Sequence, residues 1–113
     1  MKRGDVVEVD WLYSDQTGSK LRPAVVVQGD FLNGIIDDTI LVKITSRRFG
    51  IPGTEVALDP AQETGAGLNR LCWASCRDVM TRDETLVLRT AGVLSAAAMH
   101  QIEACLKTVL QLP

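Results

Sequence analysis

The chain has 113 residues, a formal net charge of −2, and 46% hydrophobic and 23% charged residues. That length holds one core but not two, and no apolar run approaches the roughly 18 residues of a membrane span, so residues 1–113 are expected to form one soluble domain. A pI near 5.3 argues against nucleic-acid binding by bulk charge, so any basic site has to be local.

The chain opens MKRGDVVEVDW, where Asp5 and Glu8 interrupt any apolar signal core, and the expected compartment is the cytoplasm. Short β-branched runs then predict strands over Val6 to Leu12, Pro23 to Gln28, Thr39 to Thr45, Thr54 to Leu58 and Leu71 to Cys76, with a weaker one over Leu86 to Arg89. The turn-rich segments Ser14 to Ser19, Asp30 to Asp38 and Arg48 to Gly53 read as loops, where sites are carried. After Gly92 the period changes: Ser95 can cap a helix in which Met99, Ile102, Leu106, Val109 and Leu110 recur on one face. This pattern predicts a mainly β domain, a small barrel of five to seven strands with one C-terminal amphipathic helix.

Cys72, Cys76 and Cys105 are odd in number and lack metal-ligand spacing, so they read as small, partly buried apolar residues, and no metal site is expected. His100 is the only histidine and lies beside the helix's apolar stripe, away from the basic residues.

Chemistry concentrates in two stretches. In Gly18-Ser19-Lys20-Leu21-Arg22-Pro23 a flexible loop delivers a guanidinium just before an apolar strand. Pro23 biases Arg22 toward an extended backbone, which fixes its direction, and a guanidinium so held can bind two phosphate oxygens at once. In Lys43-Ile44-Thr45-Ser46-Arg47-Arg48 a strand ends in two hydroxyls and two cations, groups that donate to phosphate and attract it, although a solvated turn has the same composition. Trp11 and Tyr13 flank the first loop, and Trp73 lies in a strand; each ring can stack on an unpaired base or pack in the core. Asp30 is the nearest carboxylate to the basic residues in this reading.

Taken in order, Arg3-Gly4-Asp5-Val6-Val7-Glu8-Val9-Asp10, Gly18 to Val27 with Arg22-Pro23, Lys43-Ile44-Thr45-Ser46, Glu55-Val56, Gly67-Leu68 and Gly92-Val93-Leu94-Ser95 resemble the MazF/PemK toxin family over nearly the whole chain. The resemblance implies an SH3-like or CcdB-like barrel, usually a homodimer with its groove at or near the subunit interface. It implies an endoribonuclease of a type II toxin-antitoxin system that cuts single-stranded mRNA without metal or cofactor. The 2′-hydroxyl would attack the adjacent phosphate, leaving a 2′,3′-cyclic phosphate, so DNA would be inert. On the matching positions Arg22 and Thr45 would be catalytic, with Lys20, Ser46, Arg47, Arg48 and Trp11 contacting substrate. An acidic, partly disordered antitoxin would lie across the groove. The pattern departs at Cys72, where the family often has serine. Two other readings fit the same fold: a CcdB-like gyrase poison, and an RNA-binding homologue without activity.

Overall fold

Valine, isoleucine and threonine pack well on a pleated surface and lose little rotamer freedom there, which is why the first half of the chain becomes strands. In the computed structural model, which describes residues 1–113, these are β1 (Asp5–Leu12), β2 (Ser19–Val26), β3 (Asp38–Thr45), β4 (Glu55–Leu58), β5 (Cys72–Asp83) and β6 (Val87–Val93). They form one antiparallel sheet in the order β4-β5-β3-β2-β1-β6. Every expected strand is present, but β5 runs on to Asp83 and β6 to Val93, and β2 starts at Ser19 and ends at Val26 rather than spanning Pro23 to Gln28, because pairing with β1 carries Ser19 to Arg22, expected as loop, into the sheet. A single turn of helix, α1 (Asp30–Asn33), sits in a segment expected to be loop, and α2 spans Ala96–Leu110.

The expected barrel is not closed by hydrogen bonds, and β4 and β6 are the two edges. With only four residues, β4 is too short to reach round, and the segment between β4 and β5 turns to β6 instead. There the Val93 amide donates to the Gly65 carbonyl at 2.8 Å. Gly67 and Gly92 make this approach possible: a Cβ at Gly92 would overlap the backbone of Gly65 and Ala66, and one at Gly67, where φ is +72°, would overlap the Ala91 carbonyl.

Neighbouring residues of a strand point to opposite faces, and here both faces are covered. Val6, Val25, Val42, Ile44, Ala74 and Ile102 belong to a cluster of 14 buried residues that joins one sheet face to α2. Val7, Val9, Trp11, Ala24, Val26 and Leu41 form a smaller cluster on the other face. On α2, Ala98, Met99 and Ile102 are buried, while Leu106 and Val109 pack at the margin. Leu110 is 56% exposed, so the apolar stripe ends earlier than its spacing predicts.

Ser95 does cap α2, its hydroxyl accepting from the Ala98 amide at 3.1 Å. Its own amide and hydroxyl donate to the two Glu63 carboxylate oxygens, each at 2.7 Å, which ties the helix start to the β4–β5 segment. Ser95→Ala is therefore expected to cost about 1 kcal/mol, seen as a lower urea midpoint with an unchanged slope.

The cysteines are free. Cys76 is fully buried, and burial pushes its thiol up to about 12, so it stays protonated near neutral pH.

Candidate active site

The register brings the two chemical stretches together. On β2 and β3, Ala24 faces Lys43. Two steps beyond that last pair lie Arg22 and Thr45, and both line the same cavity. The β2–β3 pairing stops at Ala24, next to Pro23, which has no N–H to donate, while β2 itself runs on against β1 to Ser19, with Arg22 opposite Val9.

That cavity, of ≈ 330 Å³, has a wall that includes Lys20, Arg22, Thr45, Ser46, Arg70 and Arg89. Glu8 is its only carboxylate, and Arg89, its cross-strand partner on β6, binds it at 2.8 Å. Arg22, Lys20 and Arg70 enter no ion pair, which leaves their donors free for an anion. The Thr45 oxygen accepts the Arg47 amide at 3.2 Å. With that lone pair occupied, its O–H is free to donate outward.

Acids gather at the other end of the sheet, where Asp38 pairs with Asp83 across β3 and β5 and the Glu84 amide binds the Asp37 carbonyl. Asp38 and Thr45 are the two ends of β3, roughly 23 Å apart at about 3.3 Å per residue. These acids stand away from the cavity, which is cationic on a chain of net charge −2.

A second cavity, of ≈ 450 Å³, lies on the other side of Arg22 and is lined by Trp11, Tyr13, Lys43, Arg77 and Asp78 among others. Arg22 is in both walls.

The side-chain positions bear on four expectations. Arg48 lines neither cavity. It is drawn instead to Glu55 at 3.8 Å, whose carboxylate also holds the Phe49 and Gly50 amides. Arg47 likewise lines neither, and acts through its backbone on Thr45. Trp11 is 7% exposed because it shares the face of Val7 and Val9, so it walls the second cavity without offering an open ring, while Tyr13 is 45% exposed. The carboxylate nearest the cations is Glu8 rather than Asp30, which caps the Arg3 amide and is held below the usual carboxylate range by that bond.

Sequence pattern does not mark Arg70, Arg89, Lys43 or Asp78 as site residues. Of these, Lys43 opens the second chemical stretch and Arg70 follows Gly67-Leu68, whereas Arg89 and Asp78 carry no signal. Trp73 stands opposite Thr45 on β5 but lines neither cavity, and His100 is exposed on α2.

From residue 2 to residue 110 the sequence matches the model of the PemK-like, MazF-like toxins of type II toxin-antitoxin systems. The chain belongs to that family. It is the toxin component of such a system. No curated protein sequence matches it closely enough to count as a relative. Among solved structures it is similar to a mycobacterial endoribonuclease in complex with its cognate antitoxin, at 25% identity and a TM-score of 0.81, over 100% of this chain and 97% of that one. It also shares its fold with the Mycobacterium tuberculosis toxin MazF-mt6, at 21% identity and 0.79 over 96% and 98% of the two chains. A third similar fold is the MazE-MazF complex of Deinococcus radiodurans, at 20% identity and 0.77 over 100% and 98%.

Against the family pattern, Cys72 lies in the wall of the first cavity but is only 5% exposed. Its thiol points to the Leu58 carbonyl at 3.8 Å, and burial raises it further from ionisation. Cysteine at this position is a neutral wall, with no nucleophile to offer.

Proposed function

We propose that this toxin is an endoribonuclease that cuts single-stranded RNA by attack of the 2′-hydroxyl on the adjacent phosphate, without a metal ion. The observation that carries the reading is that Arg22 and Thr45, from two neighbouring strands, stand in the wall of one cationic cavity. The transition state adds negative charge to the phosphate, and Arg22 is a fixed, unpaired cation there. A guanidinium has a pKa above 12, so its work is electrostatic stabilisation rather than proton removal. The Thr45 hydroxyl donates to a non-bridging oxygen as charge develops, while Lys20 and Arg70 draw the strand in and Ser46 adds a neutral donor. The similar mycobacterial chain that is an endoribonuclease bound to its antitoxin supports the same assignment.

The toxin then acts as a homodimer in the cytoplasm, restrained by an acidic antitoxin that occupies the cationic groove. No helix is long and apolar enough to cross a membrane.

The test is incubation of purified protein with single-stranded RNA and the matching DNA in EDTA. The expected result is cleavage of RNA alone, leaving 2′,3′-cyclic phosphate and 5′-hydroxyl ends, and weakening steeply as salt rises. Folded protein that cuts no member of a varied RNA set would move the assignment to a gyrase-directed or purely binding toxin.

A further inference from the structure

The second cavity, like the first, sets one carboxylate among cations, Asp78 beside Arg22, Lys43 and Arg77, but it adds the aromatic rings of Trp11 and Tyr13. At ≈ 450 Å³ it falls in the roughly 300–1,000 Å³ range of small-molecule sites. It meets the first cavity at Arg22, so a strand whose scissile phosphate sits on Arg22 has one neighbouring nucleotide on each side.

The β3–β5 ladder is irregular at this point. Val42 pairs with Val79, but the next residue, Lys43, pairs with Ser75. Cys76, Arg77 and Asp78 therefore bulge from the ladder, and such irregularities re-aim side chains. The result is a fixed carboxylate in the cavity wall: Asp78 Oδ2 accepts from the buried Ser75 hydroxyl at 2.7 Å and lies 3.4 Å from Lys43 Nζ. Asp78 Oδ1 has no partner among the hydrogen bonds or ion pairs of the chain. Beside it, Arg77 stacks on the Phe49 ring at 3.9 Å, and the exposed Tyr13 ring rests over Gly18.

The cations of this wall can hold the adjoining phosphate, but Lys43 is engaged by Asp78 and Arg77 by the Phe49 ring, and the acceptor without a partner there is Asp78 Oδ1. It suits a hydrogen-bond donor, and an exposed aromatic ring suits the face of a base. We propose that the second cavity seats the base next to the scissile phosphate, and that Asp78 selects there a base bearing an exocyclic amino group. Uracil is disfavoured because its N3–H is flanked by two carbonyl oxygens, which a carboxylate cannot approach without repulsion, whereas an amino group donates directly. This specificity rests on the endoribonuclease reading above.

The experiment is a cycle of two changes read as kcat/KM on short RNAs. One change removes the amino group from the base at the preferred position, using purine riboside for adenosine or the 4-deamino analogue for cytidine. The other is Asp78→Asn, which keeps an oxygen for Ser75 and Lys43. The wild-type protein is expected to lose about tenfold on losing the amino group, as for a hydrogen bond to a charged partner. Asp78→Asn should lose a similar factor on the natural RNA and nearly nothing further on the analogue. Independent, multiplying losses, or an unchanged base preference in Asp78→Asn, would overturn the assignment. If Asp78→Asn does not fold, a wild-type protein indifferent to the amino group overturns it alone. Wild-type protein that cuts no RNA would sink the endoribonuclease reading and this one with it, whereas RNA cleavage without preference at that position sinks only this one.

Discussion

Arg22→Ala is expected to lower single-turnover RNA cleavage by roughly 10²–10³-fold, the cost of removing one preorganised charge-stabilising group from an active site. The fold should not suffer. Arg22 is partly exposed just beyond the last β2–β3 pair, and it enters no ion pair whose loss would strand a buried partner. Circular dichroism and the melting temperature should match the wild type. Arg22→Lys should recover only part of the rate, because an ammonium cannot reproduce the two-pronged grip on phosphate. Thr45→Val, which keeps the shape and removes the hydroxyl, should cost about tenfold, since one hydrogen-bond donor is lost. A folded Arg22→Ala protein that cleaves RNA at the wild-type rate would remove Arg22 from the chemistry and leave the cavity as a binding surface.

Arg22 and Thr45 stand out in the sequence because each marks the boundary between an apolar run and a polar segment, and strand ends are where side chains meet ligands. Their adjacency does not show there. It depends on the Ala24–Lys43 register, which β-branched patterning alone does not fix. Arg70 and Arg89 reach the same cavity from the β4–β5 segment and from β6, distant in sequence, and so have no local mark. Arg47 and Arg48 look from composition like the best phosphate contacts, yet Glu55, a few residues on, takes Arg48. The strands themselves are legible in alternating and β-branched residues. The full length of β5 is not, because its apolar run breaks at Arg77-Asp78, where the chain leaves and rejoins the ladder. Net charge misleads for a simple reason: a sum over the chain does not show that Lys20, Arg22 and Arg70 meet in one cavity while Asp37, Asp38, Asp83 and Glu84 gather elsewhere.

Gly92→Ala is expected to destabilise the protein by about 3 kcal/mol, at the upper end of what overpacking costs, and to reduce cleavage by a route separate from Arg22. A methyl group at position 92 would overlap the Gly65 carbonyl and the Ala66 backbone. Backbone cannot swing aside as a flexible side chain can, so either β6 or the β4–β5 segment has to shift. That segment is held to β6 by the Val93–Gly65 bond and to the start of α2 by Glu63 on Ser95. It also carries Asn69 and Arg70 into the wall of the first cavity. Moving it should loosen the helix anchor and withdraw Arg70 together. Urea unfolding should therefore show a lower midpoint, and surviving folded protein should bind RNA more weakly with a shallower salt dependence, since one phosphate-facing cation is displaced. Arg70→Ala separates the two effects: it should reproduce the weaker, less salt-sensitive binding with stability within about 0.5 kcal/mol of wild type, as for a change at an exposed position. If Gly92→Ala were as stable as wild type, the close glycine packing would not be what holds the β4–β5 segment against the sheet edge.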